Sequence, residues 1–365
     1  MNNSPLKKHK SSIKKRNNRL IGLLFVTLGC FLLSLMIGSS KIGLKGFFKG
    51  LFLLKEDFYA RIVWSIRMPR TLAALLCGLG LGAVGCVMQG VLSNPMASPS
   101  TLGVSNAAIF GANLAIIVFG GGSFAGSTTI VISSPYLVTA TAFVFALLWA
   151  LLFLLLSLSR GASNQTVVLA GLAGGTVFSS ATTLVQFFAV DTQISAALFW
   201  SFGDLGRASY PEILILSICV VAALVFFIFN RWGYNGLAQG GDVAHTLGIR
   251  VNAVRISTLA IGALVVAVSV SFFGVIGFIG LMAPHIVKLF IKDDFGFTVP
   301  ASAMVGSVIL LVADLASRTL FKGVALPVGA ITSLLGGPVF LWLLLKRECC
   351  AISISPSSWP IPRPI

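Results

Sequence analysis

The sequence predicts an all-α, polytopic membrane protein with about ten membrane-spanning helices. Three observations carry that expectation. Of 365 residues, 56% are hydrophobic and only 10% charged, whereas soluble domains carry about 25% charged residues. Apolar stretches recur from Leu20 to Lys346, and a spanning helix needs about 20 such residues. Basic residues gather at the edges of these stretches, and Lys7, Lys8, Lys10, Lys14, Lys15, Arg16 and Arg19 all precede the first one. The net charge of +16 therefore reads as membrane-edge charge and not as a nucleic-acid surface.

The expected spans, in order, are Leu20–Gly38, Met68–Leu92, Ser100–Phe119, Tyr136–Leu158, Thr166–Val190, Glu212–Asn230, Val254–Phe273, Val275–Phe290, Thr298–Ala316 and Pro327–Lys346. The first is longer than a signal core and lacks a small-x-small cleavage site, so it reads as an anchor. Residues 1–19 then form a basic cytoplasmic tail, 20–347 the membrane domain and 348–365 a tail whose prolines and serines disfavour helix. An even number of spans puts both termini in the cytoplasm. On that topology the inner loops also hold Arg160, Arg231, Arg250, Arg255, Lys288, Lys292, Lys346, Arg347 and Arg363, against Arg207, Arg318 and Lys322 outside. That bias agrees with the positive-inside rule.

The segment between the first two spans breaks the rule. It carries Lys41, Lys45, Lys49, Lys55, Arg61, Arg67 and Arg70 against Glu56 and Asp57. Either part of it lies flat on headgroups, or an outward basic surface awaits an acidic partner; the second reading is preferred. Within the second span, Gly78 and Gly82 stand four apart, as do Gly171 and Gly175 in the fifth. Small residues at that spacing let helix backbones approach closely in lipid.

Polar breaks point to function. SNPMASPSTLGVSN (Ser93–Asn106) joins the second and third spans with two prolines and no charge. Irregular backbone near membrane depth persists only where protein or a water-filled cavity satisfies its amides. GVIGFIGLMAPHIVKLF (Gly274–Phe290) echoes it in an oppositely oriented part of the chain, as an inverted repeat would. The longest inner segment, Asn230–Arg255, reads as a short surface helix with Asp242 at its start, able to dock a partner. Asp314 is the one acid inside a core span and stands four residues before Arg318, a spacing that pairs them on one helix face.

No catalytic set is visible. The sequence has no GxxxxGK[ST] phosphate loop. His9, His245 and His285 are scattered and form no ligand cluster. Four of the six cysteines sit in apolar helices, where cysteine behaves as a small hydrophobe, and Cys349–Cys350 are adjacent. No metal or cofactor is expected on the chain itself, and the energy source is expected in another subunit.

RMPRTLAALLCGLGLGAVGCVMQGVLSNPMASPSTLGVSN, GDVAHTLGIRV, FFGVIGFIGLMAPHIVKLF and ADLASRTLFKGVALPVGAITSLLGGPVFLWLLLKR together resemble the FecCD family, in order from about Arg67 to Arg347. The family comprises membrane permeases of ABC importers for ferric siderophores, haem and vitamin B12. The resemblance implies a type II ABC importer permease in a bacterial cell membrane. It implies a dimer with a second copy or a related permease, two ATPase subunits that use ATP, and an extracytoplasmic substrate-binding protein. It implies docking of that protein on Arg67, Arg70 and Arg318. It implies coupling to the ATPase through Gly241, Asp242, His245, Leu247 and Gly248, and a cytoplasmic gate at Asn94, Met96, Asn164 and Gln165. His285 would be structural. Of the family's cargoes, a ferric siderophore is the expected one, with haem or vitamin B12 as alternatives; an ion-coupled secondary transporter would need more intramembrane acids than Asp314. Two places depart from the pattern: the family's ELPVG is ALPVG here, with Ala325, and the tail ECCAISISPSSWPIPRPI is atypical.

Overall fold

The structure is a computed structural model of the chain and describes residues 5–38, 47, 49–51, 58–120, 122–124, 130–132, 134–158, 164–291, 294–321 and 325–352. The major helices, in order, are α1 (Pro5–Met36), α2 (Met68–Val91), α3 (Val104–Ile117), α4 (Pro135–Leu158), α5 (Asn164–Phe187), α6 (Asp191–Ser201), α7 (Tyr210–Phe229), α8 (Arg231–Leu237), α9 (Gly241–Thr246), α10 (Val251–Phe273), α11 (Ile279–Lys288), α12 (Phe295–Thr319) and α13 (Val328–Ile352). A helical turn at Phe58–Arg61 and a π-helical stretch at Ile62–Arg67 run straight into α2. Among the described residues, seven helical segments are long and apolar enough to cross a membrane; α3, α11 and the apolar part of α13 are shorter. These ten coincide with the ten expected segments.

Local chemistry sets the helix ends. Pro69 lies in the first turn of α2 and has no N–H to offer the preceding π-helical turn; the Trp64 carbonyl five residues before it accepts from the Tyr210 hydroxyl at 2.6 Å. Asp294 caps α12, its side chain accepting from the Gly296 amide, as short acidic residues do at this position. α10 stops at Gly274, whose φ of +74° is accessible to glycine without a Cβ clash.

The core is built around α2. In its most apolar window 78% of residues are buried, against 17% in that of α1 and 28% in those of α4, α5 and α7. So α2, with α10 and α12, forms the interior, and the others form the periphery. What lets α2 sit there is its small residues. A Cβ at Gly78 would overlap Ser307, one at Gly82 the Ser302 carbonyl, and one at Gly306 the Gly78 carbonyl. The expected glycine packing of the second span is therefore a direct backbone contact with α12. On another face, Gly85 abuts the Gly280 carbonyl of α11. Pro284 has no N–H to offer that carbonyl, so the break in the α11 ladder lies against α2 and not against lipid.

Several elements differ from the sequence expectation. The helix after Gly274 starts at Ile279, not Val275, because Gly274 and Phe278 (φ +65°) both leave the helical region. The spacing of Gly171 and Gly175 serves a loop: Gly171 faces the Thr101 carbonyl, and the Gly175 carbonyl accepts from Asn106 Nδ2 at 2.9 Å. α6 falls between two of the expected spans; its Ala196, Ala197 and Trp200 are buried. A two-stranded antiparallel ribbon pairs Gly122–Phe124 with Ile130–Ile132. The N-terminal basic stretch is helical from Pro5 onward, as a continuation of α1. At the other terminus α13 runs to Ile352, and the rest of the expected tail, with Lys41, Lys45 and Lys55 of the basic segment, lies outside the described residues.

Replacing Gly82 with leucine should force the α2–α12 contact apart at a cost of about 1–3 kcal/mol. The thermal midpoint of the detergent-solubilised chain should fall, whereas Gly29→Leu on lipid-facing α1, where nothing approaches within 4 Å, should leave it unchanged. Equal midpoints for the two variants would contradict this packing.

Candidate functional site

The bundle presents two polar ends. At one, the arginine end, α1 finishes, α2 begins and α12 finishes. At the other, the loop end, α2 finishes and α8, α9 and the start of α12 assemble.

At the arginine end the three expected docking residues are buried: Arg67 is 3% exposed, Arg70 9% and Arg318 6%. Arg70 Nε lies 2.7 Å from Asp314 Oδ1, and Arg318 Nη2 lies 2.9 Å from Asp314 Oδ2. The i,i+4 pairing of Asp314 with Arg318 is thus present, and Arg70 completes a triad that sequence spacing could not reveal. Arg70 also donates to Ser317 Oγ (3.2 Å) and Arg318 to Ser34 Oγ (2.6 Å). Arg67 donates to the carbonyls of Leu35 and Met36 at 3.0 and 2.7 Å, which satisfies acceptors that the end of α1 leaves without helical partners. These guanidiniums are engaged within their own chain. They tie α1, α2 and α12 together, and Asp314, fully buried, holds two of them. Ala325, where the family pattern has glutamate, is exposed beside this end.

Near the loop end lies the polar stretch from Ser93. Asn94 Oδ1 accepts from the Met96 amide at 2.8 Å, a side-chain turn that asparagine readily forms. Met96 stands 51% exposed. The stretch then dives inward: Ala97, Ser98 and Pro99 are buried. A 3-10 turn at Pro99–Leu102 follows, and Gly103 leaves it at φ +75°. Trp149 Nε1 donates to the Leu102 carbonyl at 2.7 Å, so an indole of α4 satisfies backbone that lipid could not. Asn164 is the first residue of α5, and Gln165 beside it is exposed. α5 continues past the polar stretch through Gly171. The side chain of Asn164 lies outside the described residues.

The expected partner-docking helix is present as α9. Asp242, His245 and Leu247 are exposed, Leu247 at 64%, and only Ala244 points inward. Gly248 turns the chain at φ +75°. The mount beneath is rigid. Tyr234 of α8 is fully buried, and its hydroxyl is 3.0 Å from Thr258 Oγ1. Burial pushes the Tyr234 phenol up to about 12, so it stays protonated. Asn235 Oδ1 accepts from the Phe295 amide (2.8 Å), and Asn235 Nδ2 donates to Asp294 (3.3 Å). A cavity of about 320 Å³ separates this mount from the end of α2, lined in part by Gln89, Gln239 and Lys288. Lys288 donates to Gln89 Oε1 at 2.9 Å. His285 is buried, with Nδ1 2.7 Å from the Leu281 carbonyl and its ring edge-on to Phe340. Among the described residues no group of three His, Cys, Asp or Glu could hold a metal ion.

Asp314→Asn should leave Arg70 and Arg318 buried without their counter-charge, a loss of about 3–5 kcal/mol when one partner of a buried pair is removed. The thermal midpoint should drop well below wild type, and Asp314→Asn/Arg318→Met should recover part of the loss. A single variant as stable as wild type would show the triad to be without structural weight.

This two-ended architecture has counterparts among known proteins. The FecCD transport family matches residues 24–346. A relative from Methanocaldococcus jannaschii, provisionally named an ABC transporter permease protein, is 40% identical over 93% of this chain and 97% of its own length. The hemin transport system permease protein HmuU of Yersinia pestis is 32% identical over 90% of this chain and 96% of its own. The vitamin B12 import system permease protein BtuC of Salmonella paratyphi A is 35% identical over 78% and 83%. Among solved structures, one described as an inward-facing conformation of a transporter provisionally assigned to the metal-chelate ABC type superposes with a TM-score of 0.76. It covers 91% of this chain and 99% of that one at 24% identity, and so bears on the fold. With its ten apolar segments, two polar ends and a family match across nearly its whole length, the chain is a multi-pass membrane protein and belongs to the FecCD transport family.

Proposed function

We propose that this chain is the membrane permease of an ATP-driven importer and that its cargo is a ferric siderophore. The observation that carries the reading is α9: a short exposed helix on a rigid, hydrogen-bonded mount, facing away from the membrane-spanning bundle. Lipid offers such a helix nothing; a cleft in an ATPase subunit would bury its Val243 and Leu247, which stand 44% and 64% exposed. The loop end then faces the cytoplasm, in keeping with the Lys and Arg bias of its loops. The start of α1 and the end of α13 would lie on that side.

The transport path is proposed between two permease copies. α5 exposes Leu169, Leu172, Thr176, Val177, Thr183 and Leu184 along one face, a mixed apolar and hydroxyl wall without charge. Such a wall holds a bulky chelate weakly enough to release it. Asn94 and Met96 with Asn164 and Gln165 would close this path at the cytoplasmic end; α5 meets the polar stretch farther along its length, where Gly171 faces the Thr101 carbonyl. ATP would be bound and hydrolysed by the partner subunits. A cargo-loaded binding protein is placed on the arginine end; here Arg67, Arg70 and Arg318 hold the helix ends that form the platform, so their effect on docking is carried by its shape.

Two of the three named relatives are permeases of systems for hemin and vitamin B12, both large metal-centred ligands, and this favours a metal chelate and keeps haem or cobalamin as the second reading. An ion-coupled transporter is disfavoured because Asp314 is already paired with two arginines.

Uptake of radiolabelled iron supplied as hydroxamate or catecholate siderophores, of haem and of labelled cobalamin should be compared in cells with and without the gene. Loss of one ferric-siderophore class, restored by the gene, is expected; loss confined to haem or cobalamin would move the cargo to the second reading. Leu247→Asp should abolish co-purification with the ATPase while the permease still elutes as a folded species. Undiminished co-purification would remove α9 from the coupling role.

A further inference from the structure

α1 is longer than a membrane requires. Its 32 residues span about 48 Å at 1.5 Å per residue, against a hydrocarbon core of about 30 Å. The surplus is at the N-terminal end, where Lys7, Lys8, Lys10, Lys14, Lys15, Arg16 and Arg19 lie on the helix. This surplus is fastened to the loop end. Arg16 Nη1 lies 3.4 Å from Asp294 Oδ2, with its guanidinium 5.7 Å from the Phe297 ring centre, and Arg19 bonds the Phe290 carbonyl.

Between α1 and α8 the fastening leaves a cavity of about 640 Å³, whose polar lining is Arg16, Asn17, Arg231, Asn235 and Asp294. Asp294 is already occupied: Oδ1 takes the Gly296 amide and Asn235 Nδ2, and Oδ2 faces Arg16. Arg231 is exposed and lies against the Trp232 ring at 5.5 Å, and among the described residues no carboxylate pairs with it. The cavity therefore carries an excess positive charge, with amide donors beside it.

Its surroundings say what kind of anion fits. Ile21, Leu24, Phe25, Leu28 and Leu32 of α1 are all exposed, so the helix that walls the cavity faces lipid immediately below it. Trp232 is 72% exposed at the level where aromatic residues favour the headgroup layer. Lys14 and Lys15 stand exposed above. We propose that this cavity is a binding site for the phosphodiester headgroup of an anionic phospholipid, held between Arg16 and Arg231 with its acyl chains along the apolar face of α1. The lipid bridges α1 to α8 and so braces the mount of α9. The site needs only a headgroup layer at the loop end, whatever the cargo.

The test uses the full-length chain, delipidated in a neutral detergent, with binding followed by native mass spectrometry. Dioleoyl phosphatidylglycerol should bind, and dioleoyl phosphatidylcholine at least about tenfold more weakly. Each juxtamembrane arginine contributes about fivefold to anionic-lipid affinity, so Arg231→Gln should weaken phosphatidylglycerol by about that factor. Arg16→Gln/Arg231→Gln should weaken it by about 25-fold. Arg250→Gln removes an exposed charge outside the cavity and should change nothing. Comparable weakening by Arg250→Gln would show diffuse attraction to a basic surface and overturn the site, as would equal binding of phosphatidylcholine. Displacement of the lipid by millimolar inorganic phosphate would reassign the cavity to a free anion. Should the double variant fail to fold, Arg231→Glu decides alone, since Arg231 makes no ion pair within the described residues.

Discussion

Packing of α2 against its neighbours rests on close backbone approach, because lipid tails solvate apolar side chains as well as protein does and supply little drive for helices to associate. What remains is dispersion, which falls off within fractions of an ångström. Glycines at 78, 82 and 85 bring α2 to near van der Waals contact with α12 and α11. Every other feature of the interior follows from that. α10 and α12 can be largely buried because α2 occupies so little room between them, and the α11 break at Pro284 is tolerable because its freed carbonyl faces α2.

The same constraint explains where polarity is allowed. The stretch from Ser93 to Gly103 enters the bundle only where Trp149 and its own 3-10 turn satisfy its amides and carbonyls. Asp314 is buried only with two guanidiniums upon it. Both cases follow from the cost of an unpaired polar group away from water. The two polar ends are built differently for that reason. The arginine end is closed by buried charge pairs within the chain, whereas the loop end is held mainly by amide and hydroxyl bonds beneath an exposed α9, with the partly exposed Arg16–Asp294 pair beside them.

These arrangements divide the labour of a permease. The rigid centre of α2, α10 and α12 keeps the ends in fixed register. The periphery, above all α5, is exposed along a whole face. α8 links the two regimes: Tyr234 and Asn235 root it in the core, while Arg231 and Trp232 stand exposed beside α1.

The number and order of the membrane segments, the exposed character of α9, the Asp314–Arg318 pairing and the close packing at Gly78 and Gly82 were legible from the sequence. Each depends on local periodicity: runs of about twenty apolar residues, an i,i+4 spacing, and glycines four apart. The intrachain partners of the arginines were not legible. Arg70 meets Asp314 across 244 positions of sequence, and a basic residue at a membrane edge looks the same whether it faces outward or inward. Nor could the sequence tell that Gly171 serves a loop, that 191–201 is a helix, or that the basic tail is helical and pinned at Asp294. Only the tertiary structure decided these, because which partner satisfies a polar group or fills the space beside a glycine depends on which helices become neighbours.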